Sequence, residues 1–308
     1  MNTLVSLLFI LPTLLVLHLQ SEENTNSISP LNDSSCTYHP PSIEFPFHPA
    51  TAIKECKGNI WNEDFSDLSS WYPRTTKPFY YFEGCAFDPD NVSTKKGTLK
   101  VKAYSTFKKK GNSWDHYFGG QVTTKQKFSP AQNATFSCIM KPSGEWGIVN
   151  AFFMHDLDDD SLRSTDRCYE NNHEIDIEII RYDEKHLQCN FTTWKRAYQY
   201  LPGEDAPEYM SQKYDRINCS SYVLLPLSYS NEFHKYGFKW SEEKIEFFID
   251  DQMVSVHSKN DPVLNVIPTH TTSLKINTWI GDWANAGKPV PDGTLGICEV
   301  KSVCVNLE

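Results

Sequence analysis

The segment His173-Glu174-Ile175-Asp176-Ile177-Glu178-Ile179-Ile180 carries a carboxylate at every second position, with isoleucines between them. Successive side chains of a strand point to opposite faces, so Glu174, Asp176 and Glu178 would share one face and Ile175, Ile177 and Ile179 the other. Buried isoleucines would pin the register, because a slip of one residue would drive all three carboxylates into the core. Asp and Glu are poor strand formers and like charges side by side repel, so such a row costs stability. One reading is a solvated strand whose charges meet Lys or Arg on a neighbouring strand. The other is chemical. Crowding raises the pKa of at least one carboxylate, leaving a protonated acid beside an ionised base or nucleophile, the division of labour that glycoside cleavage requires. Glu174 and Glu178 would lie roughly 13 Å apart at Cα for a rise of about 3.3 Å per residue. Two Glu side chains leaning together on a curved strand can approach the carboxyl separation of about 5 to 5.5 Å used in double displacement, whereas two Asp could not. The spacing favours retention of configuration over inversion.

Other chemistry-bearing residues are weaker. Asp156-Leu-Asp-Asp-Asp160 has the alternating acids of a calcium loop, but Ser161 and Arg167 stand where an EF-hand needs Gly and a bidentate Glu, so it reads as a solvated loop. Trp146, Trp194, Trp279 and Trp283 could stack on sugar rings or fill a core, with Trp279 and Trp283 the preferred platforms. His234, inside a strand-like run, reads as a hydrogen-bonded structural histidine. No Gly-x-Ser-x-Gly elbow supports a Ser-His-Asp triad, and no Cys/His spacing resembles a zinc site.

The elements that must hold these residues read as strands. From Trp61 onward, short runs rich in β-branched and aromatic residues alternate with turns, most with period two, and no segment sustains a 3.6-residue stripe. Many strands without helices between them predict an antiparallel sandwich or barrel. The 308 residues suffice for a sizeable core, and 39% hydrophobic against 22% charged residues excludes a disordered chain and a multi-span membrane protein. The net charge of -10 offers no footprint for nucleic acid or an anionic membrane. Residues 1–20 hold a Leu-rich apolar run followed by polar sequence and read as a signal peptide, so the chain is expected to be secreted. Residues 21–57, rich in Ser, Asn and Pro, read as an N-terminal extension, and 58–308 as the catalytic domain.

In a secreted chain the nine cysteines are expected to pair, with one left over. Cys298 and Cys304 would sit about 20 Å apart on one straight strand and should pair with different partners. Five sequons fit a glycosylating pathway, at Asn32, Asn91, Asn133, Asn190 and Asn218. Asn190, in Cys189-Asn-Phe-Thr-Thr-Trp194, is expected to face the cleft and stay unmodified, with Asn91 and Asn133 more accessible.

Glu174-Ile-Asp-Ile-Glu178 resembles the catalytic signature of glycoside hydrolase family 16, which includes laminarinases, lichenases and wall transglycosylases. Its neighbours are similar too. Gly147-Ile-Val-Asn-Ala-Phe-Phe-Met resembles the strand leading into the site, and Phe233-His-Lys-Tyr-Gly-Phe-Lys-Trp240 with Ile245-Glu-Phe-Phe-Ile-Asp250 the family's paired strands, though the following turn lacks the usual Gly. Leu274-Lys-Ile-Asn-Thr-Trp-Ile-Gly-Asp-Trp283 resembles its late Trp-containing strand, so the likeness runs over about residues 60 to 306. The resemblance implies an all-β, two-sheet antiparallel jelly roll of the concanavalin A kind with a cleft across one sheet. It implies Glu174 as nucleophile, Glu178 as acid/base and Asp176 as the helper of Glu174. It implies a retaining endo-β-glucanase acting on 1,3- or mixed 1,3/1,4-β-glucan, with wall transglycosylation or lectin-like binding as alternatives, and the chain is expected to be a monomer. No cofactor is required by that chemistry, and a structural calcium is left open.

Overall fold

A computed structural model describes residues 35–37, 58–74, 85–106, 117–155, 169–199 and 213–307, with backbone alone at 35–37, 169–172, 196–199 and 213–217. Residues 1–20, expected to be a signal peptide, nearly all of 21–57, and the acidic run at 156–160 lie outside these residues. Among the described residues there is no α-helix, and every regular element longer than four residues is a strand.

One sheet is built, in spatial order, from β1 (Ser35–Thr37), β12 (Lys213–Pro226), β11 (His186–Gln199), β10 (Tyr169–Arg181), β9 (Ile148–His155), β16 (Thr272–Ile280), β7 (Tyr117–Phe128) and β3 (Trp71–Pro73). The other runs through β15 (Gln252–Ser258), β14 (Lys244–Ile249), β13 (His234–Trp240), β8 (Ala134–Lys141) and β17 (Leu295–Leu307). β2 (Trp61–Glu63) and β6 (Leu99–Ser105) flank β17, and β5 (Val92–Thr94) completes that edge. β7 serves both sheets: its first residues pair with β6 and with the parallel strand β4 (Cys85–Phe87), its later ones with β16. The antiparallel sandwich or barrel expected from the strand pattern is found here as the two-sheet jelly roll that the resemblance implies, although its central strands are longer than the short runs suggested.

The core lies between the sheets. Phe152 of one sheet meets Phe238 of the other at 5.7 Å between ring centroids, and Phe191 meets Phe247 at 5.1 Å. Ile175, Ile177 and Ile179 are each fully buried in this core. Each contributes about 1.5 to 3 kcal/mol on burial, which holds β10 in register against a one-residue slip.

The cysteines depart from expectation. Cys85, Cys138, Cys189 and Cys298 are buried free thiols, so pairing of eight residues is ruled out and Cys298 has no disulfide partner. Cys304 is disulfide-bonded, and its partner lies outside the residues whose side chains are described. Parity on a strand could separate Cys298 from Cys304, but a bridge needs two Cα atoms within about 7 Å, a property of the folded packing. Burial raises the Cys85 and Cys298 thiols to about 12, so they behave as small hydrophobes.

Candidate active site

The acidic strand is held at both ends. Near its start, the Nδ1 of His173 accepts hydrogen bonds from the backbone N–H groups of Thr269 at 2.9 Å and His270 at 3.2 Å, and the two imidazoles stack at 3.7 Å. Burial, with the nearby His270 and Lys195, depresses His173 to about 3, so it stays a neutral acceptor. Near its end, fully buried Asn150 donates from Nδ2 to the carbonyls of Ile179 and Ser143, both at 3.1 Å, and accepts from the Ser143 N–H. These contacts tie β10 to the segment before β16 and to the turn before β9.

Between these anchors Glu174 and Glu178 are half-buried, and Asp176 is 5% exposed. Register gathers the rest of the open face around them. Glu174 lies between Trp194 of β11 and His155 of β9, Asp176 between Thr192 and Phe153, and Glu178 between Asn190 and Ala151. The same rows continue through Ser273, Lys275 and Asn277 of β16 and, for the last two, to Thr123 and Gln121 of β7. The far edge carries Tyr72, 60% exposed, and Arg74, whose Nη1 donates to Gln121 Oε1 at 3.3 Å. This is a floor of carboxylates, amides, hydroxyls and aromatic rings, suited to a chain of sugar hydroxyls and apolar ring faces. The Cys189 thiol, one residue from Asn190 and behind this floor, is pushed well up by burial and further by the charge of Glu178.

Of the tryptophans singled out by sequence, Trp194 is half-buried and stands directly opposite Glu174. Trp283 is 41% exposed, whereas Trp279 is 3% exposed. Trp279 belongs to a second small core with Phe87, Tyr117, Val149, Ile180 and Val290, which fills one end of the open face. Its burial corrects the expectation of a flat sugar platform. The segment carrying Trp283 is pinned by Tyr117, whose hydroxyl donates to Asp282 Oδ1 at 2.8 Å and accepts from the Val290 N–H at 2.9 Å. Gly281 is needed there, since a Cβ would come within 2.7 Å of the Trp283 indole nitrogen. Trp146 lies in the turn before β9 under the Arg181 guanidinium, at 4.8 Å.

Asn190 is half-buried on the cleft face, and its Oδ1 accepts from Gln188 Nε2 at 2.6 Å. Asn133 is exposed, but Asn91 is 6% exposed and donates its amide to the Gly119 carbonyl at 3.0 Å, so the expectation of an accessible Asn91 is corrected. His234 is the structural histidine expected: it is buried, bonded to Asp250 at 2.8 Å and stacked on Tyr229 at 3.6 Å. Sequence reasoning missed His155, Lys275, Asn277 and Gln121, because their membership in the site depends on which distant strands pair. The side-chain oxygen of Asn277 is buried in the row of Glu178 with no hydrogen-bond partner among the described residues. Among the described residues no three His, Cys, Asp or Glu side chains gather so as to hold a cation.

A two-sheet antiparallel sandwich with a carboxylate row across the open face of one sheet is a jelly roll with a candidate cleft on that face. The profile of Glycosyl hydrolases family 16 matches residues 83–291, more than half of the chain. The chain belongs to glycoside hydrolase family 16. A β-glucanase of Brevibacillus brevis is 23% identical over 241 residues, 77% of this chain and 70% of that protein. A β-glucanase of Acetivibrio thermocellus is 25% identical over 201 residues, 64% of this chain, and the match spans about half of that relative, 49%. Among solved structures, a β-1,3-1,4-glucanase (lichenase) from a mouse hindgut metagenome superposes with a TM-score of 0.54 at 21% identity, covering 80% of this chain and 99% of that one. The laminarinase catalytic domain from Thermotoga petrophila gives 0.54 at 19% identity, covering 80% and 95%. At such identities the superpositions establish the fold.

Proposed function

We propose that this chain is a secreted retaining endo-β-glucanase that hydrolyses 1,3- or mixed 1,3/1,4-β-glucans by double displacement. The observation that carries the reading is the register of β10, which sets three carboxylates on the open face with Trp194 and Asn190 directly across from Glu174 and Glu178. The names of the curated relatives, β-glucanases, support the substrate class.

In this reading Glu174 attacks the anomeric carbon and forms a glycosyl ester while Glu178 protonates the departing glycosidic oxygen. Glu178, now a carboxylate, takes a proton from the incoming water, and Glu174 leaves with the electron pair of the ester bond. Asp176, nearly buried between the two, orients Glu174 through its place in the row. Trp194 offers a ring face beside the nucleophile.

The test is chemical rescue. Glu174→Ala and Glu178→Ala should each lower hydrolysis of lichenan or laminarin by a factor on the order of 10² to 10⁴ or more. With an activated aryl glycoside, azide should yield the α-glycosyl azide from Glu174→Ala and the β anomer from Glu178→Ala. Near-normal hydrolysis by both variants would remove the enzyme reading, and reversed anomers would exchange the two roles. Products longer than the substrate would move the assignment to transglycosylation.

A further inference from the structure

Lys275 is an unusual residue for the floor of this cleft, an ammonium only 1% exposed. It lies in the row of Asp176 through Phe153, with its Nζ 5.9 Å from the Phe153 ring centroid. Its side chain crosses diagonally to the next row, where Nζ lies 3.2 Å from Nδ1 of His155. His155 is the strand neighbour of Glu174 and is half-buried.

An ammonium has three donors and no acceptor, so a hydrogen bond between Lys275 Nζ and His155 Nδ1 requires a lone pair on Nδ1. That fixes the imidazole as the neutral tautomer with its proton on Nε2, the ring nitrogen farther from the backbone. Side chains directly opposite on paired strands have Cβ atoms about 4.5 to 5.5 Å apart, so the Nε2–H of His155 and the carboxylate of Glu174 are within each other's reach. At 1% exposure Lys275 is too deeply buried for a sugar or a sulfate to touch it, which makes direct substrate recognition a poor use of its charge. It acts through what it holds.

We propose that Lys275 and His155 form a positioning pair for the nucleophile: Lys275 fixes the tautomer of His155, and His155 presents Nε2–H to the Glu174 carboxylate. The donor orients Glu174 for attack and stabilises its anionic form, and the buried ammonium behind the ring adds a favourable field. The proposal rests on the reading of Glu174 as nucleophile.

The tautomer is read directly by nitrogen NMR of histidine-labelled protein. His155 should give an unprotonated Nδ1 and a protonated Nε2, and Lys275→Met should abolish that preference. The kinetic counterpart uses an activated aryl β-glucoside. Lys275→Met, close in volume and therefore compatible with the fold, should lower kcat about 10- to 100-fold with little change in KM. His155→Leu should do the same, whereas His155→Gln, whose amide places a donor where Nε2–H stood, should recover most of the loss. In the Glu174→Ala background rescued by azide, Lys275→Met should have no further effect, because the group it positions is gone. An Nδ1–H tautomer in the parent protein, wild-type kcat in a folded Lys275→Met, or the same loss in the azide-rescued background would each overturn the proposal. Undiminished hydrolysis by Glu174→Ala itself would instead overturn the functional reading on which it rests.

Discussion

Trp279 and Trp283 are four residues apart with ring centroids at 6.1 Å, yet one is 3% and the other 41% exposed. The difference is one of role. Trp279 is a wedge between the floor of the sheet and the segment folded over its end, where it packs on Val149, Ile180 and Val290. Trp283 presents its ring at the surface of that segment, which the Tyr117 hydroxyl fixes in place. Burial and the hydrogen bond to Asp282 raise the Tyr117 phenol above its ordinary value, so it holds its proton more tightly than a free tyrosine does. Replacing Trp279 by Ala is expected to destabilise the protein by about 3 to 5 kcal/mol, the cost of a large core cavity. Replacing Trp283 by Ala should leave the melting temperature unchanged and raise KM for a long glucan on the order of 3- to 10-fold, the worth of one stacking face. Thermal melts and Michaelis kinetics on the two variants check both statements, and a Trp279 variant that melts like the parent would deny it the wedge role.

At the scale of elements, the β14–β15 hairpin shows how a missing glycine is replaced. Its two-residue loop is Asp250-Asp251, with φ of 49° and 65°, a left-handed conformation that tight hairpin turns demand and that Gly adopts at least cost. Asp250 repays the strain, since its carboxylate accepts from Lys235 N at 2.9 Å and bonds His234 Nδ1 at 2.8 Å. Asp251, with its side chain 76% exposed, makes only a surface ion pair with Lys235. Asp251→Gly should therefore stabilise the fold by about 0.5 to 1 kcal/mol, while Asp250→Gly should destabilise it by about 1 to 3 kcal/mol. Urea denaturation of the two variants decides it, and stabilisation by both would show the Asp250 contacts to be idle.

The same scale shows what the chain reveals before it folds. Alternation in Glu174 to Glu178 disclosed the strand, its two faces and its buried isoleucines, because period two is a local property. His155, Lys275 and Asn277 were silent because each becomes part of the floor only when β9 pairs with both β10 and β16, elements more than a hundred residues apart in sequence between His155 and Lys275. Trp279 was misjudged for the same reason, since the segment that covers it follows it in sequence but closes back over the sheet.

Across the whole molecule, polar groups sealed between the sheets set how it responds to acid. His257 is fully buried, with Nδ1 3.0 Å from Thr193 Oγ1 and Nε2 3.3 Å from Ser221 Oγ, and Ser221 in turn bonds Ser255 at 2.6 Å. This network ties β11 and β12 of one sheet to β15 of the other. A protonated imidazole has two donors and no acceptor, and its charge would be stranded in the core, so burial lowers His257 from 6.5 to about 4, with Asp261 opposing the shift. In the unfolded chain the same imidazole protonates near 6.5. Between these values the unfolded state binds a proton that the folded state refuses, so stability rises with pH and is lost as pH falls from about 6.5 towards 4. For His257 the loss at pH 4.5 relative to pH 7 is about 2 to 3 kcal/mol. His173, lowered to about 3, acts in the same direction. Glu299, Asp183 and Asp261 are lowered carboxylates, Glu299 by its contact with Lys141, Asp183 by His186 and Asp261 by the Leu264 and Val263 backbone N–H groups. What they contribute is lost only as pH falls further, through their folded values, so these three carboxylates do not mask the decline due to His257 between pH 6.5 and 4.5. Replacing His257 by Gln, which keeps a donor and an acceptor for Thr193 and Ser221, should lower stability at pH 7 but flatten its decline between pH 7 and pH 4.5 by about 2 to 3 kcal/mol. Denaturant titrations at the two pH values measure this difference, and an undiminished decline in the variant would place the acid sensitivity elsewhere in the molecule.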